Sequence, residues 1–168
     1  NTTITTEIVD AAGTGPAAGS IALNVTAAND APTATNLTQT LNYAEGAASV
    51  AITDIVVTDP DTGDTITATL TLQNPLAGSL TTSGTASYTP GTGVWTITGT
   101  VAEVNAALAA VAFVPATDND VNTTITTEIV DAAGTGPAAG SIALNVTAAN
   151  DAPTATNLTQ TLNYAEGA

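Results

Sequence analysis

Residues 65–73, TITATLTLQ, decide the fold predicted for this chain. Apolar side chains occupy alternate positions with threonines between them, a period typical of a β-strand with one buried face. Strand patterns also occur at residues 36–43, 49–59, 93–99, 123–131 and 140–148. Turn clusters such as NPLAGS, PGTG and DAAGTGPAAG separate these stretches. About seven short strands at this spacing predict an all-β Greek-key sandwich.

One segment departs from the strand period. In residues 100–113, TVAEVNAALAAVAF, apolar side chains recur at intervals of three and four residues, which is helical. Thr100 and Glu103 form the T-x-x-E pattern of a capping box at a helix start. We therefore predict one short helix that crosses between the two sheets, with Trp95 and Phe113 as large core residues nearby.

The chain repeats itself. Residues 1–47 and 122–168 are the same 47-residue string, so the repeat period is 121 residues. That period has the size of one globular domain, whereas a solenoid unit has about 20–50 residues. The sequence therefore predicts a tandem array of domains.

The domain boundaries are predicted at two copies of one linker. AANDAPTAT at 27–35 and AANDAPTA at 148–155 each place a proline after a polar Asn-Asp pair, which favours an extended connection. We expect the chain to be a window from a longer fibre. Its predicted parts are the C-terminal strands of a preceding repeat at 1–30, one complete domain at 31–151 and the first strand of the following repeat at 152–168.

The charge balance restricts the possible functions. The chain has 15 acidic residues and no lysine, arginine or histidine, which gives a net charge of −15. Binding to nucleic acid or to an anionic membrane surface needs basic residues and is therefore disfavoured. No stretch approaches the roughly 20 apolar residues of a membrane span. Because cysteine is also absent, core packing or a bound ion must stabilise the fold.

The densest acidic stretch is DIVVTDPDTGD at residues 54–64. Asp59, Asp61 and Asp64 share one tight turn after a strand, where a D-x-D step lets two carboxylates converge on one cation. Ca²⁺ prefers such oxygen ligands, and histidine and cysteine, which transition metals prefer, are absent. We predict that Asp59 and Asp61 bind Ca²⁺. The alternative is that they are solvated turn residues, since aspartate favours turns.

Further candidate Ca²⁺ ligands lie at the linkers and strand ends, which a sandwich can bring to one junction. They are Asn29, Asp30, Glu45, Asp118, Asp120, Asn150, Asp151 and Glu166. Asp131, which ends a predicted strand, is one more candidate.

The order of the motifs resembles a known family. An N-D-A-P linker, an E-G step, a D-x-D-x-G-D turn, the stretch GTVAEVNAAL and an F-x-P-A-x-D step follow one another along the 121-residue unit. In this order they resemble the cadherin-like tandem repeats of giant bacterial RTX-type surface adhesins. The resemblance implies a cadherin-like or Ig-like sandwich, located at the bacterial cell surface, with Ca²⁺ at the junctions of a stiff stalk. It also implies one junction shared by Asn29, Asp30, Glu45, Asp59 and Asp61, with the number of ions left open by the short linker.

These patterns leave several functional hypotheses open. We predict a structural extender repeat of a secreted or surface-anchored bacterial adhesin, with identical neighbouring repeats as partners and Ca²⁺ as the rigidifying ion. The alternative is a repeat of a self-assembling extracellular or biofilm-matrix fibre, whose copies associate laterally or exchange strands. A sugar- or ice-binding module is a third hypothesis, although one Trp and three Tyr offer few aromatic platforms. An enzyme is disfavoured because only carboxylates are available as a base near neutral pH.

Overall fold

The computed structural model describes residues 1–167 and leaves Ala168 undescribed. The chain divides into two compact units, Asn1–Asp30 and Ala31–Ala168. The first unit is an antiparallel hairpin of strands β1 (Thr2–Thr6) and β2 (Gly19–Leu23). The second unit contains the sandwich that the strand patterns predict.

The second unit has eleven strands and one α-helix among its described residues. They are β3 (Thr33–Ala34), β4 (Gln39–Ala44), β5 (Val50–Ala51), β6 (Val57–Thr58), β7 (Ile66–Leu72), β8 (Gly78–Leu80), β9 (Ser87–Thr89), β10 (Val94–Gly99), α1 (Val101–Ala110), β11 (Ala112–Pro115), β12 (Thr123–Val130) and β13 (Gly140–Thr147), with a 3-10 turn at Pro75–Ala77. One sheet has the order β4-β13-β12-β7-β10-β9, and a second has the order β5-β11-β8. A short β3-β6 pair completes the unit. The predicted all-β sandwich with one short helix is confirmed.

Strand β7 lies in the middle of the larger sheet and shows why the alternating pattern predicted the fold. Its alternate apolar residues, Ile66, Ala68, Leu70 and Leu72, are fully buried, and the threonines between them are only half-buried. The prediction of Trp95 and Phe113 as core residues is also confirmed, because both are fully buried. The indole Nε1 of Trp95 donates a hydrogen bond of 3.0 Å to the Thr81 carbonyl, so the one polar atom of this side chain has a partner.

Helix α1 joins β10 of the larger sheet to β11 of the smaller one, as predicted, and its capping box is present. The Glu103 carboxylate accepts from the backbone N–H and the hydroxyl of Thr100, and the Glu103 N–H donates back to that hydroxyl. These hydrogen bonds from the backbone and then the side chain of Thr100 lower the pKa of Glu103. The predicted helical end is wrong, since residues 112–115 form β11. Pro115 disfavours helix in the residue before it and favours this extended segment.

We expect Thr100→Ala to lower the free energy of unfolding by about 1 kcal/mol, because it leaves the first turn of α1 without its cap. The hydrogen bonds from Thr100 lower the pKa of Glu103, so the part of the stabilisation that involves the Glu103 carboxylate is present above the ordinary pKa of 4.5 and is lost as the pH falls through the lowered pKa. Urea denaturation at neutral and acidic pH measures both effects. The exposed loop residue Thr82 provides a control, Thr82→Ala, and an equal loss in the two variants would contradict the capping role.

The stretch 49–59 is not the single strand that its pattern predicts. It forms only the short strands β5 and β6, separated by an irregular segment. In that segment, side chains make the hydrogen bonds that a neighbouring strand would otherwise make. The Gln39 side-chain amide donates to the Thr53 carbonyl and accepts from the Thr53 N–H, and the Asn36 side-chain amide donates to the Asp54 carbonyl. Ile55 within this segment remains buried, so the apolar pattern marks the core even where the strand is broken.

Candidate metal centres

The first acidic cluster is the turn between β6 and β7. One carboxylate oxygen from each of Asp59, Asp61 and Asp64 lies within 4.8 Å of the others, and all three side chains are half-buried. Two oxygens bound to one Ca²⁺ at about 2.5 Å are at most about 5 Å apart. The spacing is therefore compatible with a single Ca²⁺ ion.

Hydrogen bonds inside this turn orient two of the three carboxylates. Asp59 Oδ1 accepts from the Asp61 N–H at 2.7 Å, and Asp64 Oδ1 accepts from the Thr65 N–H at 2.8 Å. Asp59 Oδ2 is buried and has no hydrogen-bond partner among the described atoms. A buried polar oxygen without a partner is costly, and a carboxylate oxygen in that state is suited to a cation.

The second acidic cluster combines Glu45, Asp118 and Asp151, whose carboxylate oxygens also lie within 4.8 Å of one another. Glu45 is half-buried, whereas the two aspartates are exposed. The cluster lines an open cleft of about 340 Å³ together with Ala149 and Thr117, among others. This cleft leaves room for an ion and for the water ligands that commonly complete Ca²⁺ coordination.

Three local features bring the second cluster together. The Glu45 N–H donates to the Thr147 carbonyl, and Glu45 Oε2 accepts from the Ala149 N–H at 2.7 Å, so Glu45 holds the start of the 148–155 linker. Asp118 has a left-handed backbone with φ of 54°, a conformation that aspartate adopts more readily than most residues. The linker then carries Asp151 to the other two carboxylates.

The two clusters lie at opposite ends of the larger sheet. Strand β4 runs parallel to β13. Strand β12 is antiparallel to both β13 and β7, so β7 runs in the same direction as β13. Strands β4 and β7 therefore run in the same direction. The first cluster precedes β7, and Glu45 follows β4. The six residues of β4 span roughly 20 Å. One cluster therefore lies where the chain enters the domain and the other where it leaves.

The remaining predicted carboxylate ligands, Asp30, Asp120 and Glu166, belong to neither cluster. Asn29 and Asp30 lie in the first unit, and both are exposed. Asp120 and Glu166 are exposed, and so is Asn150, whose amide donates to the Asp151 carbonyl at 3.4 Å.

Asp131 has a structural role. Its carboxylate accepts from the backbone N–H and the hydroxyl of Thr135, which closes the loop between β12 and β13. Its copy Asp10 accepts from the N–H groups of Thr14 and Ala12, and these bonds, Thr14 first, lower the pKa of Asp10.

The clusters group the residues differently from the sequence-based expectation. Glu45 was expected beside Asp59 and Asp61, but its cluster partners are Asp118 and Asp151. The parallel pairing of β4 with β13, about a hundred residues away, brings these residues together, and no local pattern reveals such a pairing. Asp64 completes the first cluster although it was not among the predicted ligands. Its position in the same DPDTGD turn was the available signal.

Both clusters offer only carboxylate oxygens, which is the chemistry of a hard divalent cation. Two carboxylate charges no more than 4.8 Å apart repel each other by at least about 1 kcal/mol in water, and by at least about 3 kcal/mol at the effective dielectric constant of about 20 that is typical near a protein surface. The sequence has no cationic side chain to offset this repulsion. Acidic groups that fit a metal ion are therefore present, and a bound cation would relieve their repulsion.

No protein-family model, curated protein or solved structure matches this chain. Within residues 1–167, no helix has the length and apolar character needed to cross a membrane.

Proposed function

We propose that residues 31–151 are an extender repeat of a bacterial surface or secreted adhesin, and that Ca²⁺ at the junctions between repeats makes the array stiff. The observation that carries this proposal is the position of the two three-carboxylate clusters at opposite ends of one domain. The buried, unpartnered Asp59 Oδ2 supports a cation at the first cluster. The adhesin context follows from the resemblance of the motifs and is part of the proposal.

In a tandem array, the two kinds of cluster meet at every junction. Thr33 pairs with Thr58, and Asp59 follows directly, so the first cluster adjoins the start of its domain. Thr154 is the copy of Thr33 and lies three positions after Asp151, the last ligand of the second cluster. Three residues span at most roughly 10 Å. Six carboxylates would therefore surround each linker.

Ca²⁺ would change the mechanics of such a junction. Without an ion, six carboxylates repel one another and favour a flexible, extended set of linker conformations. With Ca²⁺, carboxylates from the body of the domain and Asp151 of the linker share one ion. The direction in which the chain leaves the domain then becomes fixed, and a string of domains becomes a rod.

The experiment that tests this proposal is small-angle X-ray scattering on a chain with two complete repeats. We expect the maximum dimension to increase and its distribution to narrow when Ca²⁺ replaces a chelator, because the linker loses its bent conformations. Asp151→Asn at the linker between the repeats should abolish the change. Asp54→Asn is the matched control, since Asp54 is exposed and belongs to neither cluster. Scattering curves that coincide with and without Ca²⁺ would overturn the proposal.

A further inference from the structure

Strand β6 is the segment of chain that leads directly into the first cluster. Thr33 and Ala34 of β3 pair with its two residues along one edge, and Asp59 follows Thr58 without an intervening residue. Along the other edge, β6 has no neighbouring strand among residues 1–167. The backbone groups on that edge therefore need partners other than a strand.

Helix α1 supplies both partners through one side chain. Asn105 Oδ1 accepts from the Val57 N–H at 2.8 Å, and Asn105 Nδ2 donates to the Val57 carbonyl at 2.9 Å. One amide group thus makes the pair of bonds that an adjacent strand would make. An asparagine amide has a donor and an acceptor on one planar group, whereas an ionised aspartate cannot donate and a leucine can do neither.

The contact between α1 and β6 is anchored on both sides. Val57 is fully buried, so its backbone groups would lack a partner without the amide, and unpaired buried groups are costly. Val104 and Leu108, which lie on either side of Asn105 along the helix, are also fully buried. They hold α1 against the core and fix the point from which the amide reaches β6. Asn105 therefore joins β6 to a rigid element of the sandwich.

This contact lies next to the carboxylate that distinguishes the first cluster. Asp59 is two residues after Val57, and two residues span at most roughly 7 Å. Asp59 Oδ2 is buried and has no hydrogen-bond partner among the described atoms, while Asp59 Oδ1 accepts from the Asp61 N–H. A shift of the Val57 backbone would therefore move the Asp59 carboxylate relative to those of Asp61 and Asp64, which lie within 4.8 Å of it.

From these contacts we infer that Asn105 is a positioning residue for the cation site at the first cluster, although its amide bonds to Val57 and not to a carboxylate. The inference rests on the proposed Ca²⁺ function and adds a residue that belongs to neither cluster. Removing a residue that orients metal ligands from outside the coordination shell typically costs roughly 10- to 100-fold in metal affinity. Helix α1 is therefore part of the machinery of the site.

Calorimetric titration of the full chain with Ca²⁺ tests this role. Every protein in the series carries Asp151→Asn, which removes one carboxylate of the second cluster so that the titration reports on the first. Asn105→Ala should raise the dissociation constant for Ca²⁺ by roughly 10-fold or more, because Asp59 is no longer held in place. The near-ultraviolet circular dichroism of Trp95 shows whether the variant is folded in chelator. If it is not folded, Asn105→Ser, whose hydroxyl can still bond one backbone group of Val57, should weaken binding in the same direction.

Gln39→Ala is the matched control. The Gln39 side chain also bonds both backbone groups of one residue, Thr53, in the segment that precedes β6. Thr53 lies six residues before Asp59, whereas Val57 lies two residues before it. Both variants should lower the melting temperature in chelator, because each leaves two backbone groups without their partner. Only Asn105→Ala should weaken Ca²⁺ binding.

The outcomes of the titration separate this inference from the function on which it rests. A chain with Asn105 and Gln39 intact that binds no Ca²⁺ would overturn the proposed function and, with it, the role of Asn105. Binding that is equally tight with and without Asn105→Ala would overturn the inference alone. Equal weakening by Asn105→Ala and Gln39→Ala would also overturn it, because a general loosening of the chain would then explain the effect.

A double-mutant cycle identifies the ligand through which Asn105 acts. If Asn105 positions Asp59, the loss of Ca²⁺ affinity caused by Asn105→Ala should be much smaller in a chain that already carries Asp59→Asn, because the ligand that it holds is already altered. The same titration measures all four members of the cycle. A double variant whose loss of affinity equals the product of the two single fold-changes would contradict action through Asp59.

Discussion

We expect saturating Ca²⁺ to raise the melting temperature of the chain by roughly 10 °C, and a chelator to reverse the rise. A ligand that binds only the folded state at a hundred times its dissociation constant stabilises it by about 2.7 kcal/mol. For a domain of this size, 1 kcal/mol corresponds to roughly 4 °C. Differential scanning calorimetry in Ca²⁺ and in chelator measures the shift. Equal melting temperatures in the two conditions would contradict ion binding.

Asp59→Asn distinguishes ion binding from a purely structural role of the first cluster. Asparagine keeps an oxygen that can accept from the Asp61 N–H, but it removes one of three mutually repelling charges. In chelator, the melting temperature of the variant should therefore equal or exceed that of the native chain. In Ca²⁺, the melting temperature of the variant should be lower than that of the native chain. Asp54→Asn, with the same charge change at an exposed position outside both clusters, should retain the full Ca²⁺ shift. A loss of stability in Asp59→Asn that is the same in both conditions would indicate a structural role alone.

Much of the sandwich follows from local pattern, because burial on one face of a strand and capping of a helix need only neighbouring residues. The alternation of 65–73 becomes β7, and Thr100 with Glu103 caps α1. The local pattern fails where distant groups decide the conformation. The stretch 49–59 is interrupted because the side chains of Asn36 and Gln39 take over its backbone hydrogen bonds.

The candidate site shows the same division between local and distant causes. The first cluster lies within one turn, so its aspartates can be found from the sequence. The second cluster depends on the parallel pairing of β4 with β13, which brings Glu45 to the linker that carries Asp151. A sequence pattern records that these residues are acidic, but it does not record which of them share a strand end.

Because the sequence repeats, a buried residue of the sandwich can be compared with an identical, exposed residue in the same chain. Ile129 in β12 is fully buried, whereas its copy Ile8 in the first unit is 75% exposed. The two residues have the same neighbours in sequence, so their local propensities are equal. We expect Ile129→Ala to lower the free energy of unfolding by about 2–5 kcal/mol, through lost burial and the cavity that remains.

Ile8→Ala should change the free energy of unfolding by no more than about 0.5 kcal/mol, because an exposed isoleucine loses little on truncation. Urea denaturation followed by the fluorescence of Trp95 measures both variants, since this single tryptophan reports on the sandwich core. The slope of the unfolding free energy against urea concentration should be the same in both variants, because the surface exposed on unfolding hardly changes. Equal losses in the two variants would mean that the hairpin of the first unit is buried in solution to the same degree as β12. Equal small losses would instead mean that β12 does not form part of the stable core.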